Sequence, residues 1–306
     1  MQVKWNGVYP AITTKFHADE ALDVEGFLKN INAQIEAGVD GIIIGGSLGE
    51  SSTITHEERI DLLKASSQSF GDKIPFLINI AEGSTKAAIA LARKSQDAGA
   101  DGLMVLPPMM YKSTEEETVA YFQTIARSTD LPILLYNNPV DYKIEITPDM
   151  MEVLLKEKNI EAVKESTRDV SNVTRLRNRF GNDLKILCGV DTLAMESIVM
   201  GADGWVAGLV AAFPAETVAI YRLVLAGRIA EAREIHRWFL PILELDINPQ
   251  LVQNIKLAEV MTGLGTEHVR QPRKILSGAE RQRVIQILEE GLAIRPTLPD
   301  YLNISV

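Results

Sequence analysis

The sequence contains one short pattern three times: Ala37-Gly-Val-Asp-Gly41, Ala98-Gly-Ala-Asp-Gly102 and Met200-Gly-Ala-Asp-Gly204. Each copy directly precedes a short apolar run. Glycine is preferred just past the end of a helix because it adopts a left-handed backbone without steric cost, and helix-to-strand loops are only a few residues long. The pattern therefore predicts a repeated unit in which a helix ends at the glycine and the next strand begins a few residues later.

Short apolar runs of this kind recur from the N-terminus to about residue 207. They cover residues 7–13, 41–45, 75–80, 102–106, 132–136, 160–164, 185–188 and 204–207. The runs are continuous rather than alternating, which is typical of parallel strands covered on both faces. Eight such strands with right-handed helical crossovers predict an α/β fold, the (β/α)8 TIM barrel. A doubly wound open sheet is the competing architecture, but the turn at residues 13–17 lacks the glycine-rich phosphate loop usual in that fold.

Beyond about residue 215 the strand signals stop and helical patterns follow. They cover residues 217–226, 229–240, 250–262 and 279–292. This tail is longer than one closing helix requires. We therefore expect a barrel catalytic domain over residues 1–225 and a C-terminal helical extension over residues 226–306. No low-complexity linker separates the two parts, so we expect them to share a core.

Composition excludes several classes of function. The 306 residues carry 31 Lys and Arg against 41 Asp and Glu, a net charge of −10, which opposes nucleic-acid binding. The only cysteine is Cys188 and the four histidines lack metal-binding spacings, so we expect neither a disulfide within the chain nor a metal site. No apolar run approaches the ~18 residues that cross a membrane, and no signal peptide is recognisable at the N-terminus. We expect a cytoplasmic protein that acts on small molecules.

Active sites of such barrels lie at the carboxyl ends of the strands, and this rule selects Lys164. The lysine closes the apolar run Ile160-Glu-Ala-Val-Lys164, where burial lowers the pKa of an amine. A neutral amine is the nucleophile that forms a Schiff base with a carbonyl carbon. The position alone fits equally well a lysine that pairs with a carboxylate at the strand exit.

Two further strand ends carry polar chemistry. Tyr136 ends the preceding run and would relay protons if it lay near the amine, although a lone tyrosine at a strand end is more often a core-edge residue. The segment Gly45-Gly-Ser-Leu-Gly-Glu-Ser-Ser52 follows the second run, and its small residues and free N–H groups suit a carboxylate, or form a plain capped turn. Arg168 and Asp169 fit either helix capping or contact with the substrate, and we favour capping. Asp191 fits equally a helix N-cap or a carboxylate facing the site.

Taken together, Gly-Gly-Ser-Leu-Gly-Glu-Ser, Tyr-Asn-Asn-Pro and Val-Lys-Glu-Ser-Thr, in this order, resemble the dihydrodipicolinate synthase / N-acetylneuraminate lyase family of class I aldolases. The resemblance covers nearly the whole chain. It implies a (β/α)8 barrel with three extra helices, a homotetramer built as a dimer of dimers, and no metal or organic cofactor. It also implies roles for individual residues. Lys164 forms the Schiff base with a 2-oxo acid, Tyr136 relays protons, Ser47 and the backbone of Gly46 and Leu48 hold the substrate carboxylate, and Gly189 and Val206 line the pocket.

The chain departs from the synthase pattern at three places. Ser47-Leu48 replaces Thr-Thr, and Asp141 stands where synthases carry an arginine for the second substrate's carboxylate. Met110 stands where synthases and lyases place a tyrosine lent across the dimer interface, and Tyr111 replaces it only if the loop is shifted. These departures predict an incomplete synthase relay.

Three segments are most similar to the hydroxyproline-catabolic branch, the 1-pyrroline-4-hydroxy-2-carboxylate deaminases. They are Tyr136-Asn-Asn-Pro-Val-Asp-Tyr-Lys143, Lys164-Glu-Ser-Thr-Arg-Asp-Val-Ser-Asn172 and Cys188-Gly-Val-Asp-Thr192. That resemblance implies a cyclic imino acid substrate, which the enzyme converts to 2-oxoglutarate semialdehyde and ammonia. The alternatives are 4-hydroxy-tetrahydrodipicolinate synthase or another pyruvate-dependent aldolase or lyase. A third hypothesis, a non-enzymatic 2-oxo-acid sensor, conflicts with the presence of both Lys164 and Tyr136.

Overall fold

The computed structural model describes residues 1–304 and forms an eight-stranded parallel barrel. The strands are β1 (Gly7–Pro10), β2 (Ile42–Ile44), β3 (Phe76–Ile80), β4 (Gly102–Val105), β5 (Ile133–Asn137), β6 (Ile160–Glu165), β7 (Lys185–Cys188) and β8 (Gly204–Ala207). Consecutive strands pair from β2 to β8, and β8 pairs with β1. A parallel bridge between Ala11 and Ile43 joins β1 to β2 and closes the barrel. The predicted TIM barrel is confirmed.

Helices alternate with the strands and continue after the last one. They are α1 (Val24–Glu36), α2 (His56–Phe70), α3 (Thr85–Asp97), α4 (Glu115–Ala126), α5 (Pro139–Tyr142), α6 (Pro148–Leu154), α7 (Ser171–Phe180), α8 (Ala194–Val199), α9 (Pro214–Leu225), α10 (Ile229–Leu243), α11 (Leu251–Met261) and α12 (Gly278–Ala293). The last four correspond to the helices predicted after residue 215. No helix within the described range is long and apolar enough to span a bilayer.

The first strand ends earlier than the predicted residue 13. Beyond Pro10 the Ala11 N–H donates to the carbonyl of Ala207 and the Ile12 N–H donates to that of Ile43, so the chain still contacts both neighbouring strands. The pairing with β2 is limited to the isolated bridge between Ala11 and Ile43, and the apolar run continues past the end of the regular strand.

The threefold pattern has a tertiary role beyond helix termination. Its first glycines are left-handed, with φ of +85° at Gly38, +88° at Gly99 and +101° at Gly201. Its aspartate carboxylates accept hydrogen bonds from backbone N–H groups near the start of an adjacent strand: Asp40 from Val8, Asp101 from Phe76 and Asp203 from Ile186. The pattern therefore ends a helix and also satisfies a donor that would lack a partner at the bottom of the barrel.

Alternation along the strands decides which side chains enter the barrel. Leu134 and Ala162 belong to the cluster that fills the interior, whereas Val163 belongs to the layer between barrel and helices. Two residues further along β5 and β6, the same alternation turns Tyr136 and Lys164 inward at the mouth. These two residues are partners in the β5–β6 register.

Candidate active site

Lys164 lies at the mouth of the barrel and lines a cavity of about 110 Å³. The residue is only 7% exposed, and its Nζ lies 4.0 Å from the centroid of the Tyr136 ring. Among the residues that the structure describes, no carboxylate forms an ion pair with this amine. The alternative of a lysine paired at the strand exit is therefore not observed.

Burial lowers the pKa of the Lys164 amine, and the nearby Tyr142, Asp246 and Asp191 partly oppose that shift. The cationic amine loses hydration in the barrel mouth and finds no single strong partner there. A lowered pKa increases the fraction of neutral amine near pH 7, and the neutral amine is the form that adds to a carbonyl or imine carbon.

Tyr136 is fixed beside the amine by the turn that follows β5. Asn138 caps the short helix α5 by accepting from the Asp141 N–H at 3.1 Å, and its Nδ2 donates to the Tyr136 hydroxyl at 3.2 Å. Burial raises the pKa of Tyr136 to about 12, so the phenol carries its proton at neutral pH. It is therefore able to donate a proton first and recover it later in a reaction cycle.

The loop that contains Ser47 is held from the C-terminal extension. Glu50, at the end of this loop, has a left-handed backbone with φ of +57° and a fully buried carboxylate. That carboxylate accepts from Lys256 Nζ of α11 at 2.5 Å and from the Arg270 N–H at 3.1 Å. The extension thus braces the segment whose Gly46, Ser47 and Leu48 line the cavity.

The side chain beside Ser47 is Tyr142, a residue that the sequence analysis did not single out. Its hydroxyl lies 2.6 Å from Ser47 Oγ, and its ring packs edge-on against Tyr136 with 5.5 Å between centroids. Met110 and Tyr111 are 76% and 56% exposed, and neither lines this cavity of their own chain. Tyr142 therefore gives the site a second phenol from within one chain. The only sign of it in the sequence was its place in the segment Asp141-Tyr-Lys143, close behind Tyr136-Asn-Asn-Pro139.

Replacing Tyr142 with phenylalanine is expected to slow exchange of pyruvate methyl protons with D2O about 100-fold, because the Ser47–Tyr142 hydrogen bond and its proton are lost. NMR measures the exchange. Tyr111→Phe is the matched control and should leave the rate unchanged. The reverse outcome, a loss only in the Tyr111 variant, would instead support a tyrosine lent by a partner subunit.

Gly189 and Val206 line the same cavity, as the resemblance implied. Gly189 has a steric reason to be glycine. A Cβ atom built there would lie 2.6 Å from both Cγ and Cε of Lys164 and 2.2 Å from Ser166 Oγ. The lysine stem therefore occupies the space that any larger residue at position 189 would need.

Changing Gly189 to alanine should displace the Lys164 stem and lower the rate of Schiff-base formation with pyruvate by about 100-fold, the usual cost of a misplacement near 1 Å. Borohydride trapping followed by intact mass measures the rate. Thermal unfolding should show a folded barrel, because the nearest clashes involve side-chain atoms and not the backbone. Trapping at the unaltered rate would contradict this role for the glycine.

Ionisable groups line the cavity together with Lys164. Arg168 Nη2 lies 3.5 Å from Asp141 Oδ1, and both side chains are partly exposed. Asp191 is buried, and its carboxylate accepts from the Trp205 indole N–H and from the backbone N–H groups of Gly208 and Leu209.

The structure selects between the two roles predicted for Asp191. It makes no N-cap bond, because its carboxylate is turned toward the end of β8, and the residue lines the cavity. The interpretation of Arg168 as a capping residue needs correction, since Arg168 lines the cavity and pairs with Asp141. Asp169 does contact the start of α7, where it accepts from the Ser171 N–H at 3.0 Å.

Comparison with known proteins matches the whole barrel and most of the extension. A model of the dihydrodipicolinate synthetase family matches residues 4–291. The chain is 30% identical over 288 residues to the 4-hydroxy-tetrahydrodipicolinate synthase of Methanothrix thermoacetophila, which covers 93% of this chain and 96% of that protein.

Solved structures give the same result. The 4-hydroxy-tetrahydrodipicolinate synthase of Methylacidiphilum fumariolicum SolV superposes with a TM-score of 0.88 at 31% identity, covering 94% of this chain and 97% of that chain. The chloride-inhibited dihydrodipicolinate synthase of Acinetobacter baumannii, solved in complex with pyruvate, has a TM-score of 0.88 at 25% identity and covers 94% and 99%. These names agree with the synthase alternative, and none of them supports the deaminase branch.

Proposed function

The chain belongs to the dihydrodipicolinate synthetase family and is a lyase of the class I aldolase type, and from this premise we propose that Lys164 forms a Schiff base with C2 of a 2-oxo acid or cyclic imino acid. The observation that carries the proposal is the buried Lys164 amine, which has no ion-pair partner among the described residues and lies 4.0 Å from the Tyr136 ring. Ser47, with the backbone of Gly46 and Leu48, would bind the substrate carboxylate at the same mouth.

For the specific reaction we place the deamination of 1-pyrroline-4-hydroxy-2-carboxylate first, because of the charged groups that line the cavity. A second substrate with its own carboxylate requires a free cation in the cavity. Arg168, however, already pairs with Asp141, and the carboxyls of Asp191 and Asp246 also line the cavity. Ionised carboxylates repel a second carboxylate. Carboxyl groups in either protonation state form hydrogen bonds with a hydroxyl group or an amine. A single compact substrate with one carboxylate and a hydroxyl group fits these groups better.

The proposed steps balance. Lys164 adds to C2 of the cyclic imine, and cleavage of the C2–N bond of the ring leaves a lysine imine and a free amine at C5. Loss of a C3 proton gives an enamine, whose electrons expel the 4-hydroxyl group as water. Proton shifts move the unsaturation to C5 as an imine. Hydrolysis there releases ammonia, and a second hydrolysis releases 2-oxoglutarate semialdehyde and the amine, so one water is consumed overall.

A synthase or aldolase that joins pyruvate to an aldehyde is the second candidate, and the comparisons favour it over the deaminase. The three relatives reported above are all named as synthases, and one was solved with pyruvate. The same lysine, phenol and carboxylate loop would serve this reaction, since pyruvate also forms an enamine on an amine.

One assay of the unaltered protein separates the two candidates. It is incubated with the hydroxypyrroline carboxylate, and ammonia and semialdehyde are measured. Parallel samples receive pyruvate with a panel of aldehydes, and condensation products are measured by mass. We expect ammonia in stoichiometric yield with semialdehyde from the first. Condensation without ammonia release would replace the deaminase by the synthase, and borohydride trapping of Lys164 in either case supports the shared Schiff-base step.

We also propose the homotetramer, a dimer of dimers, that the family resemblance implies. Its support in this chain is the exposed apolar pair Met110 and Tyr111 in the loop between β4 and α4. The cytoplasmic location and the domain boundary at residues 225–226 stay predictions.

A further inference from the structure

The proposed deamination contains a step that the groups assigned so far do not serve. Hydroxide is a poor leaving group, so the oxygen at C4 must receive a proton as its bond to carbon breaks. Lys164 is then bonded to C2, and Tyr136 lies beside that bond. An additional acid is needed two carbon atoms further into the cavity, and this reasoning rests on the proposed function.

The C-terminal extension brings such a group into the cavity. Asp246 lies on a short 3-10 helix, Glu244–Asp246, that follows α10, and its side chain lines the cavity together with Lys164 and Tyr136. Its carboxyl packs against the end of β8, where Oδ1 lies 2.9 Å from the position a Cβ atom on Gly208 would occupy. In the described part of the chain no donor forms a hydrogen bond with this carboxyl.

The other carboxyls of the cavity are occupied. Burial raises the pKa of Asp191, but three N–H donors contact its carboxylate and oppose that rise, whereas Asp141 pairs with Arg168. The charged groups that act on Asp246 belong to three neighbouring parts of the chain. They are Asp191 after β7, Lys164 and Arg168 at the end of β6 and just after it, and Asp141 in α5. Because two buried carboxyls in contact with one site do not both ionise readily, the proton resides on the one that lacks donors.

Burial and the charge of Asp191 raise the pKa of Asp246 to about 8, so this acid keeps its proton near pH 7. Asp246 therefore keeps its proton near pH 7 and has no hydrogen-bond donor among the described residues. Its location on the extension also explains why residues far from the strand ends belong to the site.

We infer that Asp246 is the catalytic acid that protonates the departing C4 oxygen of a 4-hydroxylated substrate. The Asp246 O–H bond breaks as the C4–O bond breaks, water leaves, and the electrons of the C4–O bond are replaced by those of the enamine. The resulting carboxylate then recovers a proton from the water that hydrolyses the C5 imine. Oxidants and reductants are not required.

The test compares Asp246→Asn with the unaltered protein in two reactions. Dehydration of the hydroxypyrroline carboxylate should fall about 100-fold in kcat, and the decline in kcat as pH rises through about 8 should disappear. Exchange of pyruvate methyl protons with D2O, which has no leaving group, should stay within about threefold of the unaltered rate. Glu244→Gln removes an exposed carboxylate from the same turn and is the matched control, expected to change neither rate.

The outcomes separate the two proposals. Equal kcat and an unchanged pH profile in Asp246→Asn would overturn the role of Asp246 while leaving the deaminase intact. Parallel loss of both reactions would also overturn it, because the residue would then support the site as a whole. Release of no ammonia by the unaltered protein would overturn the proposed function, and this role with it.

Discussion

Lys164→Met is expected to abolish turnover, by at least ~10⁴-fold in kcat, since no other amine from residues 1–304 lines the cavity to form the covalent bond. Methionine keeps the length and apolar character of the stem, so the packing beside Tyr136 and Gly189 survives. Borohydride with pyruvate should add mass to the unaltered protein at the peptide containing residue 164 and add none to the variant. Lys158→Met, which removes an exposed lysine, is the control.

The Lys164→Met variant should also be more stable than the unaltered protein at pH 7. The pKa of Lys164 is lowered in the folded state, so the unfolded chain binds its proton more tightly. Stability from this group is therefore complete above the unfolded pKa and decreases as pH falls toward the folded pKa. Methionine removes that loss, and thermal unfolding at pH 7 and pH 10 should show a stabilisation at the lower pH that diminishes at the higher. A lower midpoint at pH 7 would indicate that the amine is paired in solution.

Tyr136→Phe has the second largest expected effect, about 1,000-fold in the rate of Schiff-base formation. The phenol must donate a proton when the carbinolamine loses water, and its pKa of about 12 keeps that proton available. Phenylalanine preserves the ring that packs on Nζ and on Tyr142, so the change isolates the hydroxyl group. Samples taken at timed intervals and quenched with borohydride give the rate of adduct formation.

Asn138→Ala provides a graded comparison for Tyr136→Phe. It removes the donor to the phenol but leaves the phenol in place, so we expect a smaller loss, about tenfold. A Tyr136→Phe rate within about threefold of the unaltered rate would show that water or Tyr142 supplies the proton instead.

Much of the barrel was predictable because it is encoded locally. The left-handed glycines at residues 38, 99 and 201 and the continuous apolar runs report helix ends and buried strands within a few residues of sequence. Alternation then turned Lys164 and Tyr136 to the same interior face. The role of the aspartates in the threefold pattern was not predictable from the sequence, because the N–H groups that they accept from belong to other strands.

The candidate site was predictable only in part, for the same physical reason. Tyr142 reaches Ser47 across 95 residues of sequence, and Asp246 enters the cavity from the extension. Asp191 was assigned two roles by its position, and the donors that select one of them come from the end of β8. None of these contacts leaves a periodic or local signal.

The sequence by itself determined the barrel, the helical tail and the position of a buried lysine at a strand end, because turn conformation, apolar periodicity and strand alternation act over a few neighbouring residues. Only the tertiary structure decided which groups surround that amine and which of them hold protons. Those properties depend on burial and on donors supplied by distant segments, as the contrast between Asp191 with three N–H donors and Asp246 with none in the described chain shows.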